Sequence, residues 1–397
     1  MAEQQSSESA PSKLPAVTAG LTVVAIFIAV LSIPLGIASE IELTAGETTA
    51  WIIGLFGVPG VAGLLLAWRY RQPLGMTGNI FVILFIASLG TQMAWPELVG
   101  AAIVAGAVVL LLGALGLTHR LSLWIPSSIV FGLLAGAILP FAVDTFIELR
   151  EEPAIVGTVL VVFLLGRRFV EPRIPALLPA LVAGIVAVGI TGEFGSVSGA
   201  GSYATPMLTT PELSLQAILT VMPVMVILMT VQANIPSMVF LRDQGYEPPE
   251  GSVNVVSGAG TMAGSLLGPI GVSLSLPATA LTAGPDGGAK EFRHLAVYIM
   301  EASAIGIALL AGFATQLAGF LPSSLLVAVV GVAVIGLLEQ SLIEITRGPL
   351  RWGPLFAFLI ALSGVVVFGF GAFFWAIAGG LAVSLLLEWD EWKSLQS

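Results

Sequence analysis

The stretch ILMTVQANIPSMVFLRDQGYEPP, residues 227–249, begins as an apolar helix and then carries Gln232, Asn234 and Pro236. The two amides can donate and accept hydrogen bonds, and the proline lacks an N–H and releases a carbonyl about one turn upstream. Two further stretches interrupt apolar sequence in the same way. QPLGMTGNIFVILFIASLG (72–90) and GPIGVSLSLPATALTAG (268–284) each open on Pro and Gly, pass through small polar residues and become helix-forming only in their second part. Thr77, Asn79, Ser273 and Ser275 supply side-chain donors there, beside the backbone of Gly78 and Leu274. A helix that starts part-way through an apolar layer aims its free N–H groups and the positive end of its dipole into whatever lies before it. Two such ends, facing each other, form a site for an anion or a strongly polar group. Gln232 and Asn234 are expected to face that site; the bland alternative is an interhelical hydrogen bond that only holds helices together.

One acidic residue, Glu301, sits roughly two turns inside the apolar run HLAVYIMEASAIGIALL. An ionised carboxylate at that depth is costly, which makes Glu301 a candidate proton carrier or sodium ligand. The alternative is a carboxyl near the boundary, bonded to a neighbouring hydroxyl. Asp144, Glu339 and Glu344 fall near helix ends and read as boundary charges, as do His119 and His294. Phe81 and Phe85 stand close to the first broken stretch, where they either stack on an aromatic ligand or pack in the core. Trp51, Trp95 and Trp124 fit interfacial belts.

The elements that must position these residues are membrane helices. The 397-residue chain is 57% hydrophobic and 10% charged, against about a quarter charged in soluble domains. Apolar runs long enough to cross a bilayer recur throughout. They number about fourteen: 15–37, 46–68, 74–89, 96–117, 123–142, 153–169, 175–191, 214–240, 252–268, 272–283, 294–319, 322–339, 350–369 and 371–388. The third and tenth are too short to cross as ordinary helices. With the N-terminus cytoplasmic, 13 of the 14 basic residues fall on the cytoplasmic side, among them Arg120 and Arg173, and Arg150 is the exception. The positive-inside rule thus places both termini in the cytoplasm, and the expected location is the cytoplasmic membrane of a prokaryote. MAEQQSSESAPS reads as a disordered leader without the basic region of a cleaved signal. The absence of cysteine excludes disulfides and thiolate chemistry. No metal, cofactor or basic nucleic-acid patch is indicated, and no nucleophile–base pair at depth suggests an enzyme.

IPSSIVFGLLAG begins at Ile125 and LPSSLLVAVVGV at Leu321, an offset of 196 residues. The same offset carries Gly75-Met76-Thr77 onto Gly271-Val272-Ser273, Pro153 onto Pro349 and Gly184 onto Gly380. A repeat of seven spans has an odd number of crossings, so its two copies are expected upside down relative to each other, as in secondary transporters. The expected organisation is a leader 1–14, a first repeat 15–191, an extracytoplasmic connection 192–213, a second repeat 214–388 and a tail 389–397.

QANIPSMVFLRDQGYEPP, RYRQP at 69–73, WIPSSIVFGLLAGAILPF at 124–141 and FGAFFWAIAGGLAV at 370–383 resemble the corresponding stretches of the benzoate membrane transporters, in order and over most of the chain. The resemblance implies the uracil, sulfate and bicarbonate transporter fold: fourteen spans in a 7+7 inverted repeat. It implies a core domain (15–117 and 214–319) that slides as an elevator against a gate domain (123–191 and 322–388), with substrate between spans 3 and 10. It also implies symport of a small organic anion with protons, sodium being the alternative coupling ion that Glu301 leaves open, and a homodimer through the gate domain. The chain departs from the family pattern where Ala233 separates Gln232 from Asn234, in Met76-Thr77-Gly78-Asn79, and in Val272-Ser273-Leu274-Ser275-Leu276-Pro277. The same fold carrying sulfate-sized oxyanions or nucleobases, and a passive anion channel, are the competing readings. A channel would call for basic residues along the pore, and none lies at mid-membrane.

Overall fold

The computed structural model describes residues 12–89, 92–118, 126–171, 175–195 and 203–396. His119, Arg120, Trp124, Ile125, Arg173 and nearly all of the polar leader lie outside them. The described chain is predominantly helical. α1 (Leu14–Val30) and α2 (Ser32–Glu40) follow one another with a single turn residue, Leu31, between them. α3 (Ala45–Ile52) starts on a capping box, with Thr44 and Glu47 each satisfying the other's backbone N–H. It widens into a π-helical segment, Ile53–Gly57, and continues as α4 (Val58–Tyr70). β1 (Met76–Gly78), α5 (Ile80–Leu89) and α6 (Trp95–Ala114) come next, then α7 (Ser127–Glu151), α8 (Pro153–Phe169) and α9 (Leu177–Thr191). The second half runs through α10 (Leu215–Ile227), a π segment Leu228–Asn234, α11 (Ile235–Asp243) and α12 (Glu250–Ser265). It continues with β2 (Val272–Leu274), α13 (Leu276–Ala283), α14 (Arg293–Leu309) and α15 (Ala311–Ala318). α16 (Ser323–Arg347), α17 (Trp352–Ser363), α18 (Ala372–Leu387) and α19 (Trp389–Gln396) complete the chain.

Among the described residues, seven continuous helical runs are long and apolar enough to cross a membrane, and the bent pair α18–α19 makes an eighth. Several helices outrun the apolar stretches that announce them. α7 continues past residue 142 through Asp144, Glu148 and Glu151, and α16 continues past 339 to Arg347. Hydropathy ends where charges begin, but the backbone ladder does not. The tail 389–397 contains a helix, α19, turned by 107° from α18.

Both π segments have the same local cause. Pro59 and Pro236 each stand two residues after the segment ends, at the second position of α4 and α11. A proline there cannot donate to the carbonyl four residues back, and the turn before it widens.

α6 packs against α12 and α10, and α14 packs against α1 and α4. In a second group α7 packs against α16 and α17, α17 against α18, and α8 against α9. α7 and α16 touch so closely that a Cβ on Gly331 would lie 1.4 Å from Thr145 Oγ1. The element bounds repeat at one spacing. Adding 196 to those of β1 and of α7 gives those of β2 and of α16.

Candidate functional site

β1 and β2 pair antiparallel, with Met76 opposite Leu274, Thr77 opposite Ser273 and Gly78 opposite Val272. They form a two-stranded sheet enclosed by helices. Three residues make a marginal strand, and it survives at this depth because each segment supplies the partner the other needs. α5 leaves from one end of the pair and α13 from the other, so both helix N-termini adjoin it.

The polar side chains of the site divide into engaged and open groups. Asn79 is 4% exposed and fully committed. Its Oδ1 accepts from the N–H of Phe81 (3.0 Å) and of Val82 (3.2 Å), capping α5. Its Nδ2 donates to Ser273 Oγ (3.0 Å) and to the Leu228 carbonyl (3.2 Å) in the second π segment. Its own N–H donates to Gly271 O at 2.7 Å. Asn234 is fully buried. Its Oδ1 accepts from Leu274 N (2.8 Å), and its Nδ2 donates to Asn254 Oδ1 (3.0 Å). Ser273 and Leu274 are each 1% exposed, and the one Leu274 backbone donor is occupied by Asn234.

Thr77, Gln232 and Ser275 are half-buried, and their side chains make no hydrogen bond among the described residues. Gln232 Oε1 is buried without a partner. Ser275 is the residue before α13, yet its hydroxyl does not cap the helix, and Pro277 follows. Of the two helix ends, α5 is therefore closed by Asn79 and α13 is open. β2 touches both β1 and the second π segment, which brings the segments bearing all three open side chains together. The π segment also touches α7 and α5. Beside β1, Thr77 and Gly78 border a small cavity of about 40 Å³ walled by Phe27, Leu55, Phe56 and Ile83.

Glu301 is fully buried on α14. Its Oε1 accepts from Met76 N at 2.7 Å, and its Oε2 has no partner. The carboxyl occupies the space that Gly63 leaves: a Cβ there would lie 2.0 Å from Oε1 and 2.8 Å from Met76 N. No Lys, Arg or His forms an ion pair with it among the described residues, and no metal-binding group of His or carboxylates is found among them.

The structure assigns other surroundings to several aromatic residues. Phe85 is fully buried and packs edge-to-face on Phe373 at 5.1 Å, and Phe81 is 6% exposed, so both belong to the core. The rings bordering the cavity are Phe27 and Phe56, edge-to-face at 5.8 Å. Trp51, expected in an interfacial belt, is fully buried and donates to Pro269 O at 2.9 Å, at the head of the second broken stretch. Asn254, Ser257 and Thr261 on α12 also hold the site. Ser257 donates to Val272 O and Thr261 accepts from Val272 N (2.9 Å). Their spacing, i, i+3 and i+7 along one helix face, is the signal that would have found them.

Residues 10–386 match the family described as Benzoate membrane transport protein. The chain is 26% identical to the Benzoate membrane transport protein of Acinetobacter baylyi over 355 residues, covering 88% of this chain and 89% of that one. It is 28% identical to the Inner membrane protein YdcO of Escherichia coli over 379 residues, covering 92% and 95%. Among solved structures it is similar to the transmembrane domain of the cyanobacterial bicarbonate transporter BicA, with a TM-score of 0.58, 15% identity and coverage of 94% and 97%. It is also similar to the murine anion transporter Slc26a9 in its inward-facing state, with a TM-score of 0.62, 14% identity and coverage of 95% and 68%. These likenesses carry the fold, and the matched family, spanning all but the two ends of the chain, carries the assignment: this is a multi-pass membrane protein of the benzoate membrane transport protein family, a transporter and not an enzyme.

Proposed function

We propose that this chain is a secondary active transporter of a small organic anion, a benzoate-like aromatic carboxylate, coupled to protons and moving by an elevator-type mechanism. The observation that carries this reading is the open N-terminus of α13. Its uncapped first turn, the hydroxyls of Thr77 and Ser275 and the unpartnered amide of Gln232 offer donors to a carboxylate without a basic side chain. Phe27 and Phe56 beside Thr77 offer an apolar wall to a ring. Glu301 holds the strand that borders the same site and serves as the coupling group: protonation removes its charge while the anion is bound.

The transport cycle we propose rests on fourteen spans in a 7+7 inverted repeat. The register supports it. Thr77 faces Ser273, its own equivalent at 77 + 196, while Met76 faces Leu274 (78 + 196) and Gly78 faces Val272 (76 + 196), the reciprocal pattern that a pseudo-two-fold axis through the central pair produces. The core domain (15–117 and 214–319) carries the strand pair and slides against the gate domain (123–191 and 322–388). Both termini are cytoplasmic, and the chains pair through the gate domain.

The test is uptake into proteoliposomes of benzoate, other aromatic acids, sulfate, bicarbonate and uracil, each with and without an inward proton gradient. Gradient-dependent benzoate uptake supports the proposal. Uptake of sulfate, bicarbonate or uracil without benzoate overturns the substrate, and benzoate uptake indifferent to the gradient overturns the coupling.

A further inference from the structure

The chain offers three amides near the strand pair whose sequence suggests the same job, and they do not do the same job. Asn79 and Asn234 have both ends of their amides committed inside the protein. For either to turn toward a ligand, it would abandon buried partners and leave them unpaired. Gln232 makes no hydrogen bond among the described residues and is half-buried.

The partner of Asn234 is what makes its commitment informative. Asn254 Oδ1 accepts from Asn234 Nδ2 (3.0 Å), and Asn254 Nδ2 donates to the Glu250 carbonyl (2.9 Å) in the first turn of α12. Asn254, Ser257 and Thr261 are each no more than 1% exposed, and the latter two bond both backbone polar groups of Val272. α12 is also held by close packing against α6. A Cβ on Gly258 would lie 2.3 Å from Leu110 N, and one on Gly106 would lie 2.8 Å from Gly258 O. One helix thus grips β2 at Val272 directly and at Leu274 through Asn234. Ser275 and the open end of α13 follow at once.

We propose that Asn254, acting through Asn234, is a positioning residue that sets the place of Leu274 and of the open α13 N-terminus, and that Gln232 is the amide that contacts and discriminates the substrate. This rests on the anion-transport reading in its second half only. The first half concerns the backbone of β2 and is measured without a substrate.

The experiment uses the full chain in detergent and in proteoliposomes, with Asn234→Ala, Asn254→Ala, the double variant and Gln232→Ala. Hydrogen exchange at the Leu274 amide is read first. Exchange should speed up about tenfold or more in Asn234→Ala and several-fold in Asn254→Ala. The double variant should exchange no faster than Asn234→Ala, and Gln232→Ala should match wild type. Asn254→Asp, which keeps an oxygen for Asn234 Nδ2, should recover part of the slow exchange and serves if the alanine variant fails to fold. The KM for benzoate is then compared with that for 4-hydroxybenzoate. Both rise together in Asn234→Ala and Asn254→Ala, whereas their ratio changes in Gln232→Ala. Unchanged Leu274 exchange in Asn254→Ala or Asn234→Ala overturns the positioning role. A KM ratio that moves in Asn234→Ala and not in Gln232→Ala overturns the division of labour. Absence of carboxylate transport by wild type overturns the transport reading and the role of Gln232, and the exchange pattern still decides the positioning role.

Discussion

Replacing Glu301 by Gln isolates the charge of one carboxyl from its shape. Glu301 Oε1 accepts from Met76 N at 2.7 Å, and a glutamine oxygen can accept the same bond. The second oxygen, without a partner, becomes an NH2, which costs about 1–3 kcal/mol if it too stays unpaired. The protein should therefore fold and insert. What disappears is the proton. An ionised Glu301 has one N–H and, among the described residues, no ion-pair partner, and an uncompensated buried charge of that kind costs several kcal/mol, roughly 3–5 when measured by removing a partner. A single buried carboxyl that charges and discharges once per cycle carries one proton with one monoanion, an electroneutral pair. A gradient of one pH unit is then worth about 1.36 kcal/mol, or about tenfold accumulation of substrate. Proteoliposomes clamped at zero membrane potential, acidic outside, should show about that factor for wild type. They should show no accumulation for Glu301→Gln, which still equilibrates substrate. If Glu301 is the coupling group proposed above, initial uptake by wild type should fall as the external pH rises and uptake by Glu301→Gln should be flat. Tenfold accumulation by Glu301→Gln under these conditions refutes the reasoning.

Gly63→Ala should destabilise the protein by about 2–6 kcal/mol, from overpacking and the lost Met76–Glu301 hydrogen bond, and lower its melting temperature in detergent; its Cβ would sit 2.0 Å from Glu301 Oε1 and 2.8 Å from Met76 N. Asn79→Ala should cost about 2–5 kcal/mol in the same assay, since it removes the cap of α5 and two bonds that tie β1 to Ser273 and Leu228. Asn79→Asp keeps the cap but places a carboxylate against the Leu228 carbonyl, so benzoate uptake should fall further than stability does. Arg242→Gln breaks an ion pair with Glu250 whose side chains are 44% and 47% exposed, and its melting temperature should stay near wild type because such pairs contribute about 0–1 kcal/mol.

Much of the architecture is legible because it is periodic or because it breaks periodicity. The apolar runs announce helices, and Pro and Gly at 73–78 and 268–271 announce the two places where the helix does not begin on time. What replaces the helix there is a strand pair, and neither stretch shows it alone, since strands of three residues exist only through their partner 196 residues away. The site was half legible. Glu301, Asn79 and Asn234 stand out as polar residues in apolar surroundings, but polarity does not tell a ligand contact from a structural bond. Asn234 is engaged because Asn254 lies opposite it, and that is a tertiary fact. Asn254, Ser257 and Thr261 repeat at helical spacing and were readable in principle, but small hydroxyls in a glycine-rich run are easily taken for packing. Trp51 reads as interfacial from its type, whereas the Pro269 carbonyl, left over at the broken stretch, draws it inward.

The two strands are nearly equivalent by sequence offset and are held by chemically different means. β1 is held at Met76 by the Glu301 carboxyl. The position equivalent to Glu301 in the first half, 301 − 196 = 105, is Ala105. β2 is held by Asn234, Ser257 and Thr261, with Asn254 behind Asn234. The positions equivalent to Asn254, Ser257 and Thr261 are Val58, Val61 and Leu65, and those of Gln232 and Asn234 are Gly36 and Ala38. One strand thus has a support that can gain or lose a charge, and the other has supports that cannot. In the coupling proposed above, a proton arriving at Glu301 would change the hold on β1, whereas the supports of β2 and the α13 N-terminus carry no group that titrates with it. Under that proposal, proton binding would alter the electrostatics seen by an anion without dismantling the site that holds it. A repeat with matching supports on both strands would either bind two protons or respond to none.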